Sequence, residues 1–114
     1  MEKEIVCLDT SVLIEYYRKK DKTQSVFFQL TQSYRYFAVS SITEFEVYSG
    51  STPHQDAFWD SFFDIITILP FDDQTNKIAI ELSRELRKKN KQISIPDLFI
   101  GATAIKNKMP CDSE

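Results

Sequence analysis

The sequence has few of the residues that build the commonest catalytic and metal-binding motifs. Its only glycines are Gly50 and Gly101, so neither of the common glycine-rich phosphate-binding loops can be written. Its two cysteines, Cys7 and Cys111, are too few for a disulfide framework or a zinc cluster. The only histidine, His54, argues against a catalytic triad and against zinc sites with histidine ligands. Any chemistry must therefore come from hydroxyl groups, lysines and carboxylates.

The size and charge of the chain further limit the class of protein and its possible partners. A chain of 114 residues with 42% hydrophobic and 27% charged residues is expected to form a single globular domain over residues 1–114. The net charge of −3 argues against a broad nucleic-acid-coating surface but leaves room for a local basic stripe. Because the sequence has no membrane-length apolar run and no signal peptide, we expect a cytoplasmic protein.

Short apolar runs alternate with helical patterns along the chain. Strands are predicted over residues 5–8, 36–39 and 65–69. Helices are predicted from residue 12, over 22–33 and 42–49, from residue 53, and over 73–89 and 96–107. This alternation predicts an α/β fold, a three-layer α/β/α domain around a central parallel sheet.

The end of the sequence departs from this pattern. A doubly wound domain returns from its last helix into one more buried strand, and residues 111–114 look too short and too polar to form it. We therefore expect the last strand to be missing, which would leave one flank of residues 5–8 or of a neighbouring strand unpaired. Such a flank should lower stability and favour association.

Acidic residues follow the predicted strands at the edge where ligands collect in parallel sheets. Asp9 ends the first strand, residues 41–46 follow the second, and Asp97 lies in the first turn of the last helix. Converging carboxylates repel one another unless a hard divalent cation lies between them. Oxygen ligands of this kind suit Mg²⁺ or Mn²⁺.

Each of these acids also has a structural alternative. Asp9 fits a helix N-cap, and Asp97 fits the Ser94-x-x-Asp97 spacing of a capping box. Glu44 fits a capping box with Ser41, which makes it the structural acid of its helix.

Glu46 lies about 200° around the same helix from Glu44, on the side that carries Ile42. An acid at the border of an inward face needs a partner, so Glu46 is the better metal candidate.

Three segments resemble the motifs of PIN-domain nucleases, most closely VapC-like toxins of bacterial type II toxin–antitoxin pairs. They are Asp9–Ile14 after the first strand, Ile42-Thr43-x-x-Glu46 followed by Gly50, and Ile95–Ala104. The resemblance covers about residues 4 to 110. It implies a Mg²⁺-dependent endoribonuclease that cuts structured RNA such as tRNA, is inhibited by a cognate antitoxin protein and forms a homodimer.

The same resemblance assigns roles to particular residues. Asp9, Glu46 and Asp97 match the catalytic and metal-binding acids of the family, while Thr10, Ser11 and Thr43 match positions that orient the substrate. In the family a final strand leads to a Thr-x-Asn/Asp element with a fourth polar ligand, and Asp112 comes too soon after Pro110 to match it. The implied reaction is in-line hydrolysis of a phosphodiester by water, with a carboxylate orienting the water or accepting its proton.

A basic cluster near the end of the predicted helix 73–89 is a candidate for RNA binding. It contains Arg84, Arg87, Lys88 and Lys89, with Lys91 just beyond. These cations could hold RNA phosphates, or they could simply complement the negative end of the helix dipole.

Two further functions are open at this point. The chain could be a catalytically impaired PIN-fold module that binds an antitoxin or itself, with Tyr16, Tyr17, Phe27 and Phe28 forming a groove rather than core. An aspartyl-phosphate phosphatase is the weakest reading, because that chemistry expects a second acid where Ser11 stands.

Overall fold

The computed structural model describes residues 3–112, without the side chains of residues 3 and 112. The strands are β1 (Lys3–Leu8), β2 (Tyr34–Ser40), β3 (Thr67–Leu69) and β4 (Cys111–Asp112). The helices are α1 (Thr10–Arg18), α2 (Val26–Leu30), α3 (Ser41–Ser49), α4 (Pro53–Asp64), α5 (Asp73–Lys88) and α6 (Ile95–Lys106), with a short 3₁₀ helix at Lys22–Gln24.

The four strands form one parallel sheet in the order β3-β2-β1-β4. Leu8 of β1 pairs with Val39 of β2, and Ser40 of β2 pairs with Leu69 of β3, so the carboxyl ends of these strands are level. The predicted α/β architecture with a parallel sheet is confirmed. Strands β2 and β3 lie on one side of β1 and β4 lies on the other, so the strand order reverses at β1. That reversal is where doubly wound sheets bind ligands.

Helices cover both faces of the sheet. Val6 and Leu8 have no exposed surface and belong to a core cluster with residues of α1, α3 and α4. Cys7 lies between them and therefore points to the opposite face, where it is also fully buried. A second cluster joins α5 to α6 through Ala79, Leu98 and Ala102. Burial on both faces explains why the strand segments read as continuous apolar runs.

The prediction that residues 111–114 cannot supply a returning strand is wrong for residues 111–112. The amide of Cys7 donates to the carbonyl of Pro110 at 2.9 Å, and Cys111 and Asp112 pair in parallel with β1. The chain turns back quickly because Lys108, at a φ of 55°, ends α6 in a Schellman motif. Part of the flank that we expected to be open is therefore covered. Residues 113–114 lie outside the described part of the chain.

Several element boundaries also differ from the sequence-based prediction. The helix predicted over residues 22–33 is split, because Ser25 accepts a hydrogen bond from the amide of Phe28 and starts α2 anew. Strand β3 begins at Thr67 rather than at residue 65, which instead caps the end of α4. Pro96 occupies the second position of α6, after Ile95.

The aromatic residues considered for a groove lie mainly in the core. Tyr16, Tyr17 and Phe27 pack against the core cluster, and the Tyr16 and Phe27 rings meet edge to face at 4.9 Å. Phe28 is 39% exposed. The ammonium group of Lys22 fixes the end of α1 by donating to the carbonyl of Tyr16 at 2.8 Å. No helix within residues 3–112 is both long enough and apolar enough to cross a membrane.

Candidate functional site

The site forms where β1 and β2 end and the helices that follow them begin. Asp9 links β1 to α1 in an extended conformation and is the N-cap residue of α1. Within residues 3–112 its side chain does not form a regular capping hydrogen bond, although the amides of Thr10 and Ser11 at the start of α1 stabilise its ionised form and act to lower its pKa. Ser40 ends β2 and starts α3, which carries Thr43 and Glu46 towards α1.

A hydroxyl group connects α1 to α3 beside Asp9. Thr10 donates a hydrogen bond of 2.7 Å to Oε1 of Glu46, and its hydroxyl lies 3.1 Å from that of Thr43. Thr43 is fully buried, whereas Thr10 and Glu46 are partly buried. The three residues predicted from two separate motifs are thus in direct contact. Thr43 and Glu46 are three residues apart on a helix, which places them on the same side.

The electrostatic environment of Asp9 indicates that Asp97, from the third motif, lies near it. Burial raises the pKa of the Asp9 carboxyl above its ordinary value, and the amide groups of Thr10 and Ser11 partly oppose this. The negative charges of Asp97 and Glu46 raise the pKa further. An acid whose ionised form is disfavoured by two other carboxylates is a typical feature of functional sites.

Asp97 reaches this edge of the sheet from the first turn of α6. Ser94 is the N-cap residue of that helix, and its hydroxyl accepts a hydrogen bond from the Asp97 amide at 3.2 Å. The cap predicted at Ser94 is therefore present. It uses the backbone of Asp97 and leaves the exposed carboxylate available for other contacts.

The capping box predicted between Ser41 and Glu44 is wrong. Helix α3 starts one residue earlier than that pattern requires, because the hydroxyl of Ser40 accepts a hydrogen bond from the amide of Ile42. Glu44 lies on another side of α3, where its charge acts on Tyr48. Burial, the hydrogen bond to Asp60 and nearby charges including that of Glu44 raise the pKa of Tyr48.

The donor set suits a hard divalent ion. Asp9, Asp97 and Glu46 supply carboxylate oxygens, and Thr10 adds a hydroxyl oxygen. Within residues 3–112, however, no three acidic, cysteine or histidine side chains are already gathered into a group that could hold an ion. Mutual repulsion and the hydrogen bond from Thr10 to Glu46 explain why three carboxylates remain apart. These residues have the chemistry and charge that a divalent ion requires, but their side chains are not arranged as a complete coordination site.

Two clefts adjoin the acids and share Ile14 and Arg18. One, of about 400 Å³, is lined by Thr10, Ser11 and Arg18 among others, and the other, of about 390 Å³, includes Glu46. Arg18 makes no ion pair within the described part of the chain. Arg18 was not among the site residues predicted from the sequence, although it lines both clefts. A helical projection could have found it, because Thr10, Ile14 and Arg18 recur every four residues along one side of α1.

The predicted basic cluster lies mainly away from these clefts. Arg84 and Arg87 line a separate cavity of about 350 Å³ between α5 and α6, together with Leu98 and Phe99. Lys88 and Lys89 are exposed at the end of α5. Leu98, which lines this cavity, directly follows Asp97 in α6, so the helix connects the cavity to the acidic site.

Comparisons with known proteins agree with this arrangement. A model of the PIN domain matches residues 6–111. Ribonuclease VapC3 of Methanocaldococcus jannaschii is 34% identical over 96 residues, which are 83% of this chain and 93% of that protein.

Solved structures show the same fold at lower identity. A chain of VapBC2 from Rickettsia felis, bound to a promoter DNA fragment, has a TM-score of 0.77 at 21% identity and covers 96% of this chain and 98% of its own. A chain of a toxin–antitoxin complex from Klebsiella pneumoniae has a TM-score of 0.76 at 21% identity, with coverage of 93% and 82%. The match of the domain model over most of the chain and the identity to VapC3 show that this protein belongs to the PIN domain family.

Proposed function

We propose that this chain is a divalent-metal-dependent endoribonuclease and the toxin of a type II toxin–antitoxin pair. The observation that carries the proposal is that acids from three distant segments interact electrostatically at one edge of the sheet, although they are not gathered into a finished metal site. Glu46 is hydrogen-bonded to Thr10, next to Asp9, whose pKa is raised by burial and then by the charges of Asp97 and Glu46. The relationship to a ribonuclease of the VapC group supports the same activity.

The proposed metal ligands are Asp9 and Asp97, with Glu46 as a third carboxylate. When bound, Mg²⁺ or Mn²⁺ supplies positive charge that stabilises the charge developing on the scissile phosphate. Thr10 fixes the direction of the Glu46 side chain through its hydrogen bond, and buried Thr43 holds Thr10 in turn. Glu46 is then placed to orient a water for in-line attack or to accept its proton. Ser11, in the first turn of α1, faces the cleft that begins at Thr10 and is proposed to position the RNA.

We further propose an antitoxin protein and a second copy of the chain as partners in a cytoplasmic complex. The support for the antitoxin is that a solved structure of the same fold, from Klebsiella pneumoniae, is a toxin–antitoxin complex. Large apolar side chains at the surface support a homodimer, among them Phe45, which is 70% exposed, and Ile95, which is 60% exposed.

The test of the activity is cleavage of structured RNA by the purified chain. We expect cutting in Mg²⁺ or Mn²⁺, none in EDTA, and recovery when the metal is restored in excess. Transfer RNA is the first substrate, and a DNA duplex of similar length is the control. Binding of an antitoxin or self-association without cleavage of any RNA in either metal would instead support the catalytically impaired PIN module.

Arg18, in the cleft beside Thr10, and the pair Arg84 and Arg87, in the cavity between α5 and α6, are expected to hold RNA phosphates. In EDTA, where no RNA is cut, Arg18→Gln should weaken binding of a single-stranded RNA. It should also lower the slope of log affinity against log salt by about 0.7, the value for one phosphate contact. The double variant Arg84→Gln, Arg87→Gln should lower the slope by about twice as much. Fluorescence anisotropy over a salt series measures both effects.

Lys77→Gln is the control, because Lys77 is an exposed cation of α5 that already pairs with Asp73 at 3.3 Å. It should leave the slope unchanged. If Arg18→Gln behaves like Lys77→Gln, the cleft beside Thr10 does not carry RNA phosphates. If only the double variant has no effect, the α5 cations serve the helix end instead.

A further inference from the structure

The two cysteines of the chain lie opposite each other in neighbouring strands. Cys7 of β1 and Cys111 of β4 are register partners, and the amide of Cys7 donates to the carbonyl of Pro110 at 2.9 Å. Neighbouring strands are about 4.7–4.9 Å apart, which lies within the range of about 4.4–6.8 Å between the Cα atoms of disulfide-linked cysteines. The backbone therefore needs little movement to bring the two sulfur atoms into bonding distance.

Register partners in adjacent parallel strands project their side chains to the same face of the sheet, so the two thiols are neighbours. Both residues are reduced, yet they differ sharply in access, because Cys7 has no exposed surface and Cys111 is exposed. An oxidant in solution can therefore reach Cys111 but not Cys7 directly.

We propose that Cys7 and Cys111 form a redox-modification site that a small-molecule disulfide converts into an intrachain disulfide between β1 and β4. This inference does not depend on the proposed nuclease function. It gives β4 a second, covalent attachment besides its two register pairs with β1.

The step is a pair of thiol–disulfide exchanges. The Cys111 thiol gives up its proton and attacks one sulfur of the small disulfide, which forms a mixed disulfide and releases one small thiol. The Cys7 sulfur then gives up its proton and attacks the Cys111 sulfur, which forms the intrachain bond and releases the second small thiol. The two cysteines lose two electrons and two protons, and the small disulfide takes them up as two thiols.

The modified bond would lie close to the acidic site. Asp9 is two residues after Cys7, and Asp112, which follows Cys111, is the register partner of Leu8. Because the linkage closes a loop from Cys7 to Cys111, it restricts nearly the whole unfolded chain. Oxidation should therefore stabilise the fold and fix β4 beside β1.

The test treats the full chain with oxidised glutathione at neutral pH and compares it with Cys111→Ser. Because Cys111 is exposed, Cys111→Ser is expected to fold like the wild-type chain. A peptide map should show one intrachain link between Cys7 and Cys111, with the mass of two hydrogen atoms lost. The Tm should rise by about 5 °C or more and fall back on reduction with dithiothreitol. Cys111→Ser should show no change in Tm.

Four results would overturn the proposal. Cys111 could remain joined to glutathione while Cys7 stays a thiol, or it could link two chains through Cys111 alone. An intrachain link that lowers the Tm would mean that the thiols meet only in a distorted chain. A rise in Tm that also occurs in Cys111→Ser would place the effect elsewhere and would equally remove the site.

Discussion

Asp9→Asn is expected to make the metal-free protein slightly more stable while abolishing its response to divalent ions. Asn is as good an N-cap as Asp, so the start of α1 should be kept. The substitution removes a carboxylate whose ionised form is disfavoured by burial and by the charges of Asp97 and Glu46. In EDTA at pH 7 the Tm of Asp9→Asn should therefore exceed that of the wild-type chain.

The sign of this effect can be checked by pH. The folded pKa of Asp9 is raised above the ordinary value of about 3.9, so the carboxyl is neutral in both states at lower pH and carries no penalty there. As pH rises, the penalty develops between the unfolded pKa of about 3.9 and the raised folded pKa, and it is fully present above the folded pKa. The advantage of Asp9→Asn should thus be present at pH 7 and disappear below about pH 3.9.

Divalent ions should reverse the order of stability. A metal present at 100 times its dissociation constant stabilises the folded wild-type chain by about 2.7 kcal/mol, which Asp9→Asn and Asp97→Asn should both lose. RNA cleavage should fall by at least about 100-fold in each, since removing even an indirect partner of a metal ligand costs 10–100-fold. Thermal melts with and without Mn²⁺ measure the first effect, and gel-based RNA cleavage measures the second.

Asp73→Asn is the matched control, because Asp73 is also an exposed acid in the first turn of a helix. It should keep both the Mn²⁺ response and the cleavage rate. Equal Mn²⁺ stabilisation of the wild-type chain and Asp9→Asn would remove Asp9 from the metal site. A loss in Asp73→Asn as large as in Asp97→Asn would point to a general charge effect.

The architecture could be predicted from the sequence because parallel strands that are buried on both faces have nearly continuous apolar sequences. Residues 5–8 and 36–39 are apolar in succession, as expected for strands covered on both faces, and each is followed by a helix-capping residue. The end of the chain was harder to predict. Strand β4 has only two residues, and it is held by its pairing with β1 and by the turn at Lys108 rather than by an apolar pattern.

The candidate site could be predicted in part for a similar reason. The acids stand directly after strands or in first helical turns, where topology alone brings them to one edge. The contact of Thr10 with Glu46 depends on the packing of α1 against α3, which no local pattern specifies. Ser40 rather than Ser41 starts α3, and a difference of one residue changes which side chain caps a helix. Arg18 was not predicted because it lies after the Asp9–Ile14 motif, in the last turn of α1, where a solvated cation is common.

Glu46 and Glu44 provide the sharpest test of the proposed site, because they lie two residues apart on α3, are both partly buried and differ in direction. Glu46→Gln retains an oxygen that can accept the 2.7 Å hydrogen bond from Thr10 and removes only the charge. We expect it to lower metal-dependent RNA cleavage by about 10- to 100-fold and to weaken Mn²⁺ stabilisation. Glu44→Gln, whose charge acts on Tyr48, should leave both nearly unchanged.

A third variant separates the effect of the Glu46 charge from the effect of the Glu46 side-chain position. Thr10→Val removes the hydroxyl that holds Glu46 but leaves the carboxylate, so cleavage should fall while Mn²⁺ still stabilises the fold. Glu46→Gln should in addition lower the pKa of Asp9, because one of the charges that raise it is gone. In ¹³C NMR titrations without metal, the Asp9 carboxyl should therefore titrate at a lower pH in Glu46→Gln than in Glu44→Gln. If Glu44→Gln shifts that titration more, or harms metal binding more while stability is unchanged, the roles of the two acids are reversed.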